Sequence, residues 1–134
     1  MNTFSKLFKL ASQARNNAYA PYSKFAVGAS ILSTNGKYYT GCNVENISYP
    51  CGTCAEQGAI SAMIAGGDTS IAEILILADT DELITPCGAC RQRINEFSTS
   101  NTIITLANLN GKHQQYTISQ LLPAQFNAKE LHND

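Results

Sequence analysis

Charge is scarce in this 134-residue chain: 14% of its residues are Asp, Glu, Lys or Arg, and nine basic side chains face ten acidic ones for a formal net charge of −1. Without a basic excess there is no electrostatic footprint for a polyanionic backbone, so long nucleic acid is not an expected partner. Also missing is any apolar run of the about 20 residues that would cross a bilayer, which predicts a soluble protein with no membrane partner. No charged head, apolar stretch and cleavage site open the chain. The cysteines number five, an odd set that does not suit a secreted disulfide framework, so a reducing, cytoplasmic setting is expected. No linker, repeat or low-complexity tract interrupts residues 1–134, which read as one domain large enough to bury its own core.

What is present is an alternation of helix and strand signals. Residues 1–19 carry Lys6, Lys9 and Arg15 and no acidic residue, a pattern that superficially suits a transit peptide. Leu7, Leu10, Ala11, Ala14 and Ala18 nevertheless recur at the spacing of one helical face, and a first helix is the simpler reading. After Pro21, the stretches FAVGASIL, TNG and KYYTGCN read as two strands around a tight turn. TCAEQGAISAMIAGG reads as a helix with Thr53 as N-cap, Glu56 three residues on, and Gly66 and Gly67 as its stop. Its small residues Gly58, Ala59 and Ala62 would let another backbone come close. IAEILILAD is a continuous apolar run suited to a strand covered on both faces. TPCGACRQRINEF follows as a helix with Thr85 as N-cap and Pro86 at its first position. NTIITLAN and HQQYTI are further strands, TISQLLPAQF holds a helical turn broken by Pro123, and NAKELHND is expected to be loosely held. An antiparallel opening hairpin followed by strand–helix alternation predicts an α/β fold: a three-layer α/β/α sandwich around a mixed five-stranded sheet.

Four cysteines form two Cys-x-x-Cys pairs, Cys51 with Cys54 and Cys87 with Cys90. The 32 residues between the pairs exceed the roughly 15 to 20 of a zinc ribbon and hold a whole helix and strand, so the pairs can meet only through tertiary folding. Each falls at a helix start, where unpaired N–H groups and the helix dipole favour thiolate. A disulfide-exchange role for CGAC would need a thioredoxin-like setting and leaves the first pair unexplained. Four sulfurs would close a zinc site into a structural one and reduce Glu56 to a capping residue. Three would leave a position for water, the pattern of a catalytic site, with Glu56 beside it. Pro50 and Gly52 favour a loop at Cys51, whereas Cys54 stands at the helix start. The ligand set is therefore read as Cys54, Cys87 and Cys90, holding one Zn²⁺ per chain.

These motifs resemble a known family. CAE followed by PCGAC matches the Cys-x-Glu and Pro-Cys-x-x-Cys signature of zinc-dependent nucleobase deaminases. AYAPYSKFAVGA, GCNVENISY, TPCGACRQ and LLPAQF, with Leu131 and His132 beyond it, are similar to the small homotetrameric cytidine deaminases over nearly the whole chain. The resemblance implies hydrolysis of cytidine or deoxycytidine to uridine or deoxyuridine with release of ammonia, a step of pyrimidine salvage. Glu56 would take a proton from water, pass it to ring N3 and then protonate the leaving amine. The resemblance further implies Asn43 and Glu45 as ribose ligands, Phe25 on the pyrimidine face, the Ala55 N–H at the pyrimidine carbonyl and Tyr49 helping to close the pocket. Phe126 would reach into a neighbouring subunit's site within a homotetramer. One departure from the pattern matters: the family usually has Arg directly after CAE, where this chain has Gln57, which leaves Arg91, next to Cys90, to offset the thiolate charge.

On the residues alone, Asn43 reads equally well as a turn residue ending a strand, Glu45 as a solvated carboxylate and each Phe as core. Cys42 reads as a buried small hydrophobe, Met63 as core, and His113 and His132 as surface residues. Two rival functions share the motifs. One is the same zinc chemistry on another amine, such as an aminonucleoside antibiotic, guanine or an RNA base. The other is a noncatalytic zinc-stabilised binding module.

Overall fold

Helix α1 (Thr3–Arg15) opens on Asn2, whose side-chain oxygen accepts the Ser5 N–H at 2.8 Å. The computed structural model describes residues 1–132, apart from the side chains of residues 130 and 132, so the surface reading of His132 lies outside the described residues. Leu7 and Ala11 are the fully buried positions of α1, while Leu10 and Ala14 are half-buried. Ala18, expected on the same helical face, lies beyond the end of the helix. The hairpin forms as β1 (Val27–Ser33) and β2 (Tyr38–Cys42), with Gly36 at φ 83° in the turn. There follow α2 (Ala55–Ala65), β3 (Ile71–Ala78), α3 (Gly88–Glu96), β4 (Ser98–Asn108), β5 (His113–Tyr116), α4 (Ile118–Leu121) and α5 (Ala128–His132). Within the tail expected to be loose, Ala128–His132 form the short helix α5, preceded by the Asn127 side chain accepting the Lys129 N–H at 3.0 Å, and residues 133–134 lie outside the described residues.

The sheet order is β2-β1-β3-β4-β5. β1 runs antiparallel to both β2 and β3, β3 and β4 form the parallel pair, and β5 returns antiparallel to β4. The sheet is mixed, as expected, and helices cover both faces. Alternation along β3 sorts its side chains. Leu75 and Leu77 pack with Leu7 and Ala11 of α1 on one face. Ile74 and Ile76 join Ala59, Ile60 and Met63 of α2 and Ile94 of α3 on the other. Each such fully buried Ile or Leu contributes about 1.5–3 kcal/mol relative to exposure, so β3 is the strand that ties the three layers together.

This topology brings several chain ends to one edge. The register pairs Gly28 with Cys42 and Val27 with Ala78, so the C-terminal ends of β2 and β3 lie beside the start of β1. The chain leaving β2 leads to the N-terminus of α2, and the chain leaving β3 leads to the N-terminus of α3. In open α/β sheets such a crevice beyond the strand ends is where ligands bind.

Both helices start one or two residues later than the sequence predicts. Thr53 is held extended in a two-way backbone bridge with Val44, its N–H donating at 2.8 Å and its carbonyl accepting at 2.9 Å, so the N-cap of α2 is Cys54. In α3 the N-cap is Cys87 rather than Thr85. The residue before a proline disfavours helical geometry, and Pro86 stands outside the helix with its carbonyl accepting from Arg91 Nε at 2.8 Å. A sulfur therefore occupies the cap position of each helix. Glu56 moves into the first turn of α2, out of register for a capping box with Thr53.

Candidate active site and metal centre

Cys54, Cys87 and Cys90 converge: their Sγ atoms all lie within 4.8 Å of one another. Two of them are helix caps and the third closes the first turn of α3, so side chains that tilt toward the helix N-terminus meet in front of both helices. Cys51 is elsewhere. It ends a 3₁₀ turn over Tyr49–Cys51, is exposed, and has Ser48 Oγ at 3.5 Å. Cys42 is half-buried at the end of β2, and Met63 is core.

The electrostatics of the three sulfurs differ. The Cys87 thiol is held below its ordinary value, chiefly by the Cys90 backbone N–H and then, against some burial, by the Cys90 side chain and the Ala89 N–H. These amides act as a field, since no capping hydrogen bond closes on Cys87. The Cys90 thiol is fully buried, and burial pushes it far up, followed by the negative charge of Glu56 and the neighbouring Cys54. Three soft donors this close together, one of them fully buried, fit a divalent cation among them, whose charge favours their deprotonated state. Three thiolates without a fourth protein ligand match a zinc site with one position left for solvent or substrate.

Glu56 is 6% exposed. Burial raises its carboxyl above the usual range, opposed by its own backbone N–H, by the Cys90 thiol and by the charge of Arg93. A desolvated carboxyl beside the cysteines has the character of an acid–base group.

The charge partner differs from the expectation. Arg91 uses its guanidinium on two carbonyls, Nε on Pro86 at 2.8 Å and Nη1 on Leu121 at 2.7 Å, and so braces α3 against α4. The guanidinium against sulfur is that of Arg93, with Nη1 3.6 Å from Cys90 Sγ. Gln57 donates to Ser61 Oγ at 3.0 Å. Helical spacing held the signal: position i+3 shares a face with Cys90, whereas i+1 turns away.

Two cavities meet at Asn43 and Cys54. The smaller, about 190 Å³, is lined by Val27, Asn43, Cys54, Ala55, Glu56 and Cys87 together with the Ile84–Pro86 loop. The larger, about 530 Å³, is lined by Tyr22, Ser23, Asn43, Glu45, Tyr49 and Cys54 among others, and falls in the size range of small-molecule sites. Cys54, Glu56 and Cys87 line the smaller recess, and the larger cavity is its antechamber. Asn43 and Glu45 are already partly engaged. Asn43 Oδ1 accepts the Val27 N–H at 2.9 Å and Nδ2 donates to the Phe25 carbonyl at 2.7 Å, which fixes the entry to β1. Glu45 accepts the N–H groups of Tyr22 and Ser23 at 3.0 and 3.1 Å and the Ser23 hydroxyl, and the Ser23 hydroxyl is the main reason its carboxyl is held low. An amide and a carboxylate so used keep spare acceptor and donor capacity.

Phe25 and Phe126 line neither cavity. They are 38% and 57% exposed, so the core reading fails for both. The segment carrying Phe126 is fastened to α3 by Gln92 Nε2 donating to the Phe126 carbonyl at 2.8 Å. His113 is exposed, with its ring stacked on Phe4 at 4.1 Å. Sequence reasoning missed Arg93 and Ser23; the latter carries no motif signal, since its role arises from a turn meeting Glu45 across 22 residues.

Residues 1–106 match the family described as the cytidine and deoxycytidylate deaminase zinc-binding region. A cytidine deaminase of Halalkalibacterium halodurans is 42% identical over 127 residues, covering 95% of this chain and 96% of that protein. One from Sporosarcina psychrophila is 41% identical over 126 residues, 94% of this chain and 93% of the relative. Among solved structures, a cytidine deaminase of Burkholderia pseudomallei superposes with a TM-score of 0.88 at 39% identity, covering 94% of this chain and 100% of that one.

Proposed function

This chain belongs to the cytidine and deoxycytidylate deaminase family, and on that basis we propose that it hydrolyses the 4-amino group of cytidine and deoxycytidine, giving uridine or deoxyuridine and ammonia. The observation that carries this reading is the juxtaposition of a buried carboxyl, Glu56, with a three-cysteine set that leaves Cys51 outside.

Zn²⁺ held by Cys54, Cys87 and Cys90 supplies, when bound, the Lewis acidity that makes water a competent nucleophile near neutral pH. The rest falls to the chain. Glu56 takes the proton of the attacking water and carries it to ring N3. As the water oxygen bonds to C4 the carboxylate is free again; it takes the second proton from the new C4 hydroxyl and delivers it to the amine as the C4–N bond breaks and the C4 carbonyl forms, so one carboxyl serves as base and then acid in each half of the reaction. Burial of Glu56 raises its affinity for the proton in transit. The backbone N–H of Ala55, at the start of α2 and without an intrahelical partner, holds the pyrimidine carbonyl. Asn43 and Glu45 take the sugar hydroxyls from the antechamber, Tyr49 narrows its mouth, and Phe25 meets the pyrimidine face. Exposed Phe126 completes the site of an adjacent copy in a homotetramer. No helix of the described residues is long and apolar enough to cross a membrane, in keeping with a cytoplasmic nucleoside enzyme.

The test is ammonia release and loss of absorbance on incubation with cytidine, with zinc counted per chain. Glu56→Gln should lower turnover by about 10²–10⁴-fold with zinc content unchanged. A binding module would retain its function in that variant, and an enzyme of another amine would leave cytidine intact.

A further inference from the structure

We propose that Arg93 is the positioning residue that sets the charge of the three-cysteine centre in this chain, a role held on α3 because the corresponding position of α2 carries no charge. The inference rests on the metal reading above.

The two helices present the same spacing. Gln57 lies three residues after Cys54 and Arg93 three residues after Cys90, each on the face that its cysteine occupies. Only one of the two is cationic. Gln57 turns its amide to Ser61 Oγ at 3.0 Å, along α2. Arg93 directs Nη1 to Cys90 Sγ at 3.6 Å. Arg91, the other guanidinium on α3, is committed to carbonyl oxygens of Pro86 and Leu121. Among the described residues, Arg93 is therefore the cation with a direct hydrogen bond to the cluster.

Three thiolates and a dication sum to −1, and one guanidinium brings the group to neutrality. Cys90 needs this most. It is the fully buried sulfur of the three. A donor on a ligating sulfur withdraws electron density from it, which both stabilises the bound thiolate and keeps the metal electrophilic. The helix of Arg93 also carries Cys87, so the cation, two ligands and the favourable end of the helix dipole move as one rigid body. Arg93 as a residue is exposed, which makes its contribution sensitive to ionic strength.

The experiment uses the full chain loaded with zinc and measures affinity by competition with a chromophoric chelator, with thermal unfolding followed in parallel. Arg93→Gln should weaken zinc binding by about 10-fold or more, and the gap from the parent should narrow as salt rises. Arg93→Lys should recover part of the loss. The double variant Gln57→Arg, Arg93→Gln should recover most of it, by returning a cation to the same face from the other helix. Affinity of Arg93→Gln within twofold of the parent would overturn the proposal, as would equal, salt-independent losses in the Lys and Gln variants accompanied by a lower Tm. A parent chain that binds no zinc would instead refute the metal reading, and so the two failures are distinguishable.

Discussion

Gly41 of β2 and Gly58 of α2 face each other where the strand crosses the helix that carries Cys54 and Glu56, and replacing each by Ala should give opposite results. A Cβ built on Gly41 would stand 2.2 Å from the Ala59 nitrogen, 2.5 Å from the Ala55 carbonyl oxygen and 2.7 Å from the Gly58 carbonyl carbon. All three are helix backbone, so no side chain can swing aside. Restoring ordinary contact of about 3.4 Å or more requires α2 to retreat by on the order of 1 Å, and overpacking of this kind costs about 1–3 kcal/mol. For a chain of this length that is a Tm loss of about 3–12 °C. Displacing Cys54 and Glu56 relative to α3 should also weaken zinc retention and turnover beyond what the stability loss alone produces. The same methyl on Gly58 would meet its nearest neighbours, the Cys42 carbonyl oxygen and Gly41 Cα, at 3.5 Å. That is ordinary contact, and the gain in helix propensity of up to about 1 kcal/mol should leave Tm unchanged or higher. Thermal unfolding of the two zinc-loaded variants, with zinc counted in each, is the assay. Equal Tm for Gly41→Ala and the parent would show that the strand and helix are not in the contact on which the site geometry depends.

Further outcomes concern the sulfurs and the buried acids. Cys51→Ser should retain one zinc per chain and full turnover, whereas Cys90→Ser should lose both, as read by metal analysis after gel filtration. Asp68 accepts from Asn35, Ser33 and Tyr39, which hold its carboxyl below the ordinary 3.8. Its stabilisation is therefore complete above that value and lost as pH falls through the lower folded one, so Asp68→Asn should reduce Tm at neutral pH and flatten the acid limb of the Tm–pH curve. Glu73 is buried with one hydroxyl donor, Thr105 at 3.3 Å, and burial raises it above 4.5. The protonated form is the favoured one, so its contribution is complete below that pH and is lost as pH rises through the folded value. Glu73→Gln should then be the more thermostable protein at pH 7, with the advantage vanishing on the acid side.

Local chemistry was readable before any fold was known. The spacing of Leu7 and Ala11, the TNG turn between the hairpin strands, the unbroken apolar run of β3 and the arrival of cysteines at two helix starts all depend on neighbours a few residues apart, and each stands where the pattern indicated. The choice of three sulfurs from four was also accessible, because Pro50 and Gly52 shape the loop at Cys51 without help from the rest of the chain. Other features came into being only when distant segments met. The caps passed from Thr53 and Thr85 to Cys54 and Cys87 because Val44 captures Thr53 in a bridge and Pro86 stands outside α3. Asn43 and Glu45 acquired structural duties from the chain entering β1 and from the Tyr22–Ser23 turn. The charge at the metal centre passed to Arg93 once Arg91 found carbonyl partners on Pro86 and Leu121. A hydrogen bond is made to whichever acceptor the packed fold brings within about 3 Å, and that distance, unlike helical periodicity, is a property of the folded chain as a whole.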